Sequence, residues 1–258
     1  MSDTSITDPA EQFYLEGTQK VTAGRYLEAI DAFERALEVR PRESRYLLGL
    51  AAAVDRLGFM SYALSLAGQA ADADTGSADA WFQMGLGHYR LGDYTSAAGC
   101  LKKAIVLFPD HAEAWFFLAN SHYLAGNGEK SVECYDRLLA ISGRYPKALY
   151  NKGVSLADLG RYEEAADAYR ACLAMSPHVA VVQTNLGVAL ASLGQEDEAL
   201  RLFDLALAAD PRDPLTWHNK GLVLAKLGRD GEAAACFQKY RELTGSHHHG
   251  TVSGRVLR

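Results

Sequence analysis

The 258-residue sequence contains little proline, little cysteine and no long apolar run. It has seven prolines and four cysteines, and no stretch approaches the roughly 18 to 20 apolar residues of a membrane-spanning helix. Residues 1–5 have neither the basic region nor the apolar region of a secretory signal. Since the rest of the composition, 48% hydrophobic and 22% charged, is ordinary for a soluble protein, we expect a cytoplasmic location.

An excess of positive charge and the usual catalytic motifs are also absent from the sequence. The net charge of −6 and the pI near 5.8 argue against non-specific binding to nucleic acid or to an anionic membrane. There is no glycine-rich phosphate loop, no nucleophile elbow and no metal-ligand motif. The histidines at 247–249 could hold a metal weakly, but they are more typical of a disordered tail or a tag remnant. We therefore expect no catalytic activity, no cofactor and no metal.

What the sequence does contain is a strict internal repeat. If the repeated glycine is position 15 of each repeat, positions 8 and 20 are always small, and position 32 is proline in four repeats. Apolar residues at positions 4, 7, 8 and 11 form one helical face, and those at 17, 20, 24 and 27 form a second. The glycine is expected to end the first helix and the proline the second, so each repeat is predicted to be an antiparallel helix pair. The seven glycines, 34 residues apart, are Gly24, Gly58, Gly92, Gly126, Gly160, Gly194 and Gly228.

This pattern resembles the tetratricopeptide repeat family. The third repeat carries the family signature at Trp81, Met84, Gly85, Gly92, Tyr94, Ala97, Leu101, Ala104 and Pro109. The resemblance covers residues 10 to about 245, and it implies an all-α fold, a right-handed superhelical α-solenoid of seven 34-residue helix-turn-helix repeats. We divide the chain into an N-terminal lead and cap (1–9), seven repeats (10–43, 44–77, 78–111, 112–145, 146–179, 180–213 and 214–245) and a polar tail expected to be disordered (246–258).

Two repeats depart from the pattern. The second has Ala67 and Thr75 where an aromatic residue and a proline are expected. The fourth has two close glycines, Gly126 and Gly128, at the start of its second helix, and glycine weakens a helix by roughly 0.5 to 1 kcal/mol relative to alanine. We therefore predict that the fourth repeat is the flexible joint of the array.

The ends and the cysteines give further expectations. Asp8, Pro9 and Glu11 are typical of a helix start, with a capping side chain, a proline at the first position and an acidic residue in the first turn. No solvating helix is evident after the last repeat, which favours association through its C-terminal face unless the tail folds back over it. Equivalent cysteines of adjacent repeats lie about 8–10 Å apart, beyond the reach of a disulfide, so we expect reduced packing residues at Cys100, Cys134, Cys172 and Cys236.

The candidate binding residues lie opposite the core-facing stripe of each first helix. Positions 2, 5, 6, 9, 12 and 13 are expected there, on the inner, concave surface of the stack. An asparagine amide is both donor and acceptor and can hold a peptide backbone without reading side chains, a role that the resemblance also implies. For both groups of residues, packing between repeats is the alternative. The groups are the aromatic residues Phe82, Tyr89, Phe116, Phe117, Tyr123 and Tyr150, and the asparagines Asn120, Asn151, Asn185 and Asn219.

Four cations, Arg56, Arg90, Lys147 and Lys226, also face inward in this register, and acidic residues offset them. A specific acid receptor and a solvated mixed-charge face are both compatible with that mixture. Family members that bind chaperone tails use a clamp of asparagines and cations. Here Asn120 and Asn151 match the clamp and its cations are missing, so a chaperone tail is not the expected ligand.

From these features we expect a protein-interaction scaffold that binds an extended peptide or partner segment in its groove. The partner is a protein or peptide of unknown identity, without nucleic acid or membrane. One alternative is a structural module that self-associates through its repeat ends or convex face, as a homo-oligomer. Another is an accessory subunit of an enzyme complex.

Overall fold

The computed structural model describes residues 8–245, and every regular element in that range is an α helix. This confirms the prediction of an all-α fold built from helix pairs. Within the described range there are fourteen helices: α1 (Pro9–Thr22), α2 (Tyr26–Val39), α3 (Ser44–Arg56), α4 (Met60–Ala73), α5 (Ala78–Arg90), α6 (Tyr94–Leu107), α7 (Ala112–Leu124), α8 (Gly128–Ser142), α9 (Pro146–Asp158), α10 (Tyr162–Met175), α11 (Ala180–Ser192), α12 (Glu196–Ala209), α13 (Pro214–Lys226) and α14 (Asp230–Gly245).

The regularly spaced glycines end the first helix of each pair, as predicted. All seven have φ between 71° and 89°, a conformation that a Cβ disfavours. At the end of α5, Gly92 N–H donates to Tyr89 O (3.1 Å) and Asp93 N–H donates to His88 O (3.0 Å). These bonds satisfy carbonyls that would otherwise be orphaned, and the Asp93 side chain then caps α6 by accepting from Ser96 N–H (3.1 Å).

The start of α1 also follows the expected chemistry. Asp8 is its N-cap and accepts a hydrogen bond from Ala10 N–H at 3.3 Å. Pro9 occupies the first turn, where the missing N–H costs nothing, and Glu11 adds the acidic charge that a helix N-terminus favours.

The two helices of a repeat approach closely because a small residue at position 8 faces a large one at position 24. A Cβ on Gly17 of α1 would stand 2.7 Å from the Phe33 ring of α2, and one on Gly153 of α9 would stand 2.5 Å from the Tyr169 ring of α10. Such distances are far below van der Waals contact, so the glycines are what permits the packing. The prediction that small residues let the helices approach is confirmed.

The chain divides into two compact halves, Met1–Asn127 and Gly128–Arg258, called here the N-terminal half and the C-terminal half. The N-terminal half has apolar cores built on side chains such as Phe33, Tyr46 and Leu66. The C-terminal half has a core that includes Tyr169 and Phe203, both fully buried. The four cysteines are buried and free, as expected of packing residues.

Some expectations fall outside the described residues. The polar tail 246–258, with its histidines at 247–249, lies outside them, and so do residues 1–7. Within the described part of α14, Phe237, Tyr240 and Leu243 are each partly exposed. Along residues 8–245, no helix is both long enough and apolar enough to cross a membrane.

Candidate functional site

Four of the predicted aromatic residues of the N-terminal half form one cluster around α7: Phe82, Tyr89, Phe116 and Phe117. The Phe117 ring centroid lies 6.1 Å from that of Phe82, 5.3 Å from that of Tyr89 and 5.6 Å from that of Phe116. The Phe82 side chain is buried, and burial raises the pKa of the Tyr89 phenol. Tyr123 is half-buried. The cluster is therefore largely packed on itself.

The asparagines are more buried than an open ladder requires. Asn219 is 0% exposed and Asn185 is 2% exposed, Asn120 is also buried, and only Asn151 is half-exposed. The expectation that they all face an open groove is therefore wrong for Asn120, Asn185 and Asn219. Their contribution to peptide binding stays a prediction, and direct contact with a ligand would require them to become exposed.

The physical reason lies in the neighbouring repeat. Position 6 of the second repeat is Gly49, and a Cβ there would stand 2.6 Å from the Phe33 ring of the first repeat. Position 6 therefore faces the preceding repeat as well as the inner surface. Asn185 occupies the same register, and its Nδ2 donates to the Tyr150 hydroxyl at 3.3 Å, while its buried Oδ1 has no hydrogen-bond partner among the described residues.

A cavity of about 620 Å³ lies in the C-terminal half, between the start of α9, the end of α10 and the start of α11. Two predicted residues, Lys147 and Tyr150, line it. Arg144 and Tyr145, which precede α9, also line the cavity and are not among the residues predicted from the sequence. The sequence does contain a signal next to them, since Gly143 replaces the usual proline at position 32 of the fourth repeat. In the structure Gly143 has φ of 62°.

The lining of this cavity is apolar with a cationic edge. Val179, Val181 and Val182 supply aliphatic surface, and Cys172 is buried beside them. The Cys172 thiol donates to Pro146 O at 3.4 Å, and burial raises its pKa, so it stays a neutral thiol at physiological pH. Arg144 and Lys147 are exposed and form no ion pair with another described residue. The arrangement suits an apolar side chain next to a carboxylate.

A second cavity, of about 450 Å³, lies in the N-terminal half between α3, α4 and α5. The predicted residues Arg56 and Arg90 line it. The Arg90 guanidinium pairs with the Asp55 carboxylate of the preceding repeat. Arg56 is exposed and has no ion-pair partner within residues 8–245. The offset of inward cations by acidic residues is thus seen at Arg90 and Asp55, and not at Arg56.

No metal centre is found in the part of the chain that the structure describes. There, no group of three or more histidine, cysteine, aspartate or glutamate side chains is close enough together to hold an ion. Ion pairs join neighbouring helices on the described surface, such as Lys152 with Asp136 (2.5 Å) and Lys226 with Glu196 (2.6 Å).

Comparison with known proteins identifies the family. A family model described as tetratricopeptide repeat matches residues 14–80, 82–148, 131–180, 150–214 and 184–247, nearly the whole chain. The chain belongs to the tetratricopeptide repeat family. Proteins of this family are in general protein-interaction scaffolds, and the fold of this tetratricopeptide repeat chain is an all-α helical solenoid of such repeats.

Individual relatives of this tetratricopeptide repeat chain are distant. It is 29% identical over 102 residues to "Small glutamine-rich tetratricopeptide repeat-containing protein 2" of Mycosarcoma maydis. That match covers 40% of this chain and 29% of the relative, so the chain spans less than a third of the relative's length.

Solved structures share the fold at low identity. The structure of YrrB, described as a tetratricopeptide repeat protein with an unusual peptide-binding site, has a TM-score of 0.68 and 21% identity, covering 74% of this chain and 98% of YrrB. A tetratricopeptide repeat protein from Parabacteroides merdae has a TM-score of 0.66 and 15% identity, covering 91% of this chain and 93% of that protein. At such identities the likeness shows the fold alone.

Proposed function

We propose that this chain is a scaffold that binds an extended peptide segment of a partner protein, anchored in the cavity of the C-terminal half. The observation that carries this proposal is that Lys147 and Tyr150, two residues that the repeat register places on the inner face, line one cavity of about 620 Å³. That volume lies within the roughly 300–1,000 Å³ of ligand pockets. The peptide-binding site described for YrrB, a protein of the same fold, is consistent with this role.

The chemistry of the lining defines the peptide. The valine side chains and the Tyr145 and Tyr150 rings favour an apolar side chain, since aromatic anchors dominate the energy of such contacts. Arg144 and Lys147 stand at the cavity without ion-pair partners among the described residues, so a carboxylate of the peptide finds two cations within its reach. The proposed ligand therefore has an apolar residue next to aspartate or glutamate.

In this proposal Asn185 acts as a positioning residue rather than as a direct contact. Its amide donates to the Tyr150 hydroxyl and is itself buried, so it fixes the ring that lines the cavity. A buried amide held this way restricts the rotamers of Tyr150 and reduces the ordering cost of binding. In this proposal the asparagine at position 6 of the sixth repeat holds Tyr150 in place and does not itself contact the peptide.

A peptide selection tests the proposal even though the partner is unidentified. Random nine-residue peptides displayed on phage are selected against the full chain, and the winners are synthesised and titrated by fluorescence anisotropy. We expect enrichment of an apolar residue beside an acidic one. Affinity should fall by more than about ten-fold in Tyr150→Ala and in Arg144→Ala/Lys147→Ala, which remove the anchor and the cations.

The matched control is Lys152→Ala on the same helix, because Lys152 pairs with Asp136 and does not line the cavity. It should leave affinity unchanged. Selected peptides that bind Tyr150→Ala as tightly as the wild type would overturn the proposed site. If selection yields no peptide and light scattering grows with protein concentration, the self-association alternative replaces it.

A further inference from the structure

In most repeats a large side chain at position 24 fills the space between the two helices. In the first repeat this side chain is Phe33, whose ring lies against both Gly17 of its own repeat and Gly49 of the following one. The same pairing joins Gly187 to Phe203 and Gly221 to Phe237. An aromatic ring is thus the usual occupant of this place in the repeat.

The second repeat lacks that ring. Its position 24 is Ala67, its position 8 is Ala51, and position 6 of the next repeat is Gln83. All three line the cavity of about 450 Å³ between α3, α4 and α5. Leu64 closes part of the gap, since a Cβ on Gly87 would stand 3.0 Å from its Cδ1. The remaining space lies where the first repeat holds a phenyl ring.

The cavity has a buried floor and an exposed rim. Ala51, Ala63 and Ala67 are buried, whereas Arg56 and Arg90 are exposed. The rim residues come from positions 6, 12 and 13 of the first helices, on the predicted inner face, so the opening is on that face. Because Arg90 already pairs with Asp55, the charge that remains for a ligand is the Arg56 guanidinium.

We propose that this cavity receives one aromatic side chain of a partner protein, with a neighbouring carboxylate paired to Arg56. The ring would complete the interface that Phe33 completes from within in the first repeat. Residues 1–7 and 246–258 contain no phenylalanine, tyrosine or tryptophan, so neither segment supplies it. The inference concerns the N-terminal half only and stands if the cavity of the C-terminal half binds nothing.

A minimal probe for this site is N-acetyl-phenylalanine, which combines one phenyl ring with one carboxylate. It is titrated into the full chain carrying ¹³C-labelled alanine methyl groups, and methyl spectra are recorded. We expect the Ala51, Ala63 and Ala67 methyl signals to shift on binding. N-acetyl-phenylalanine amide should bind about two- to five-fold more weakly, because it cannot pair with Arg56. N-acetyl-alanine should cause no shifts at these methyls.

The cavity can also be filled from within. Ala67→Phe alone would meet the Ala51 methyl, so Ala51→Gly/Ala67→Phe, which recreates the Gly17 and Phe33 pair, is the main variant. In it, the probe should no longer shift the Ala63 methyl, and the thermal unfolding midpoint should rise. Ala51→Gly/Ala67→Leu, which copies the contact of Leu101 with Gly85 in the third repeat, provides a milder filling. Arg56→Gln should bind the acid and the amide equally.

Lys152→Ala is the matched control, since it alters an ion pair of the other half, lines neither cavity and should leave these shifts intact. Absence of methyl shifts in the wild type up to the solubility of the probe overturns the proposal. Shifts at Ala63 that persist in both filled variants overturn it as well. Shifts that depend on protein concentration without probe would instead indicate that a second copy of the chain occupies the cavity.

Discussion

Replacement of Gly153 by alanine tests the packing rule on which the repeat is built. Gly153 on α9 lies under the Tyr169 ring of α10, and an added Cβ would stand 2.5, 2.7 and 2.9 Å from three ring carbons. Favourable carbon contacts occur at about 3.5–4.0 Å, so the ring or the helix has to move by about 1 Å. Tyr169 is fully buried, which prevents the ring from turning outward into solvent.

The expected magnitude is a difference of two opposing terms. Overpacking of a well-filled core costs about 1–3 kcal/mol. Alanine in place of glycine inside a helix contributes about 1 kcal/mol in the other direction. Because the closest contact is only 2.5 Å and the ring has no free space, we expect a net destabilisation of about 1–2 kcal/mol.

The matched control is Gly99→Ala, in the interior of α6. Gly99 is exposed, and a Cβ there meets no heavy atom within 4 Å, so only the helix-propensity gain of about 0.5–1 kcal/mol remains. Urea unfolding followed by circular dichroism should therefore move the two midpoints in opposite directions. Because repeat arrays need not unfold in two states, midpoints and slopes are compared together.

Stabilisation of Gly153→Ala to the level of Gly99→Ala would refute the reasoning. A second variant separates a packing clash from a backbone effect. Gly153→Ala/Tyr169→Ala recreates the pair that Ala51 and Ala67 form in the second repeat, so the clash term disappears and only the loss of the ring remains. The cost of the double variant should then be smaller than the sum of the two single costs.

Two further predictions concern single elements. The pKa of Asp93 lies below its usual value of 3.8 because the Ser96 side chain and backbone N–H donate to it, so its contribution to stability is present above that pH and is lost as the pH falls. The urea midpoints of wild type and Asp93→Ala should differ at neutral pH and converge below pH 3.8; a constant difference would contradict this. Amide hydrogen exchange should be fastest in α8 among the second helices of the internal repeats, because Gly126 and Gly128 weaken its start. Uniform protection would rule this out.

The helices were predictable because their signals are local. A glycine every 34 residues marks the end of a helix. Each of the seven glycines adopts the left-handed backbone conformation expected at such an end; Gly92, with φ of 81°, is one example. The apolar stripes at a 3.6-residue period then give the core faces. The position-24 ring and the position-8 glycine also follow from the pattern, as Phe33 and Gly17 show.

The candidate site was less predictable because a helical wheel describes only one helix. It places Asn185 opposite the core stripe of α11, but it cannot tell which part of that side the preceding repeat covers. In the structure Asn185 is buried and bonds to Tyr150 from that repeat. Burial between repeats depends on the neighbour's side chains, which lie about 35 residues away in the sequence.

Cavities are harder still to infer, since their volume is set by what neighbours do with a missing side chain. The third repeat also lacks an aromatic residue at position 24, yet Leu101 reaches Gly85, with an added Cβ meeting it at 2.7 Å. In the second repeat Ala67 faces Ala51, and no larger side chain occupies the place of the missing ring. The sequence shows the departure in both cases, and only the structure distinguishes a filled gap from an open one.

Stacking imposes the same buried contact on every repeat, so a partner site arises most easily where one repeat departs from it. Ala67 removes a ring and leaves space inside the second repeat, whereas Gly143 alters the loop whose next residues, Arg144 and Tyr145, line the other cavity. The repeat that precedes Ala67 keeps its glycine–aromatic pair, Gly17 and Phe33, so the stack of repeats persists beside the cavity. A larger side chain at position 67 should therefore raise the stability of the repeat and abolish binding of the aromatic side chain. If the cavity is a packing defect without a binding role, the same substitution should raise the stability alone.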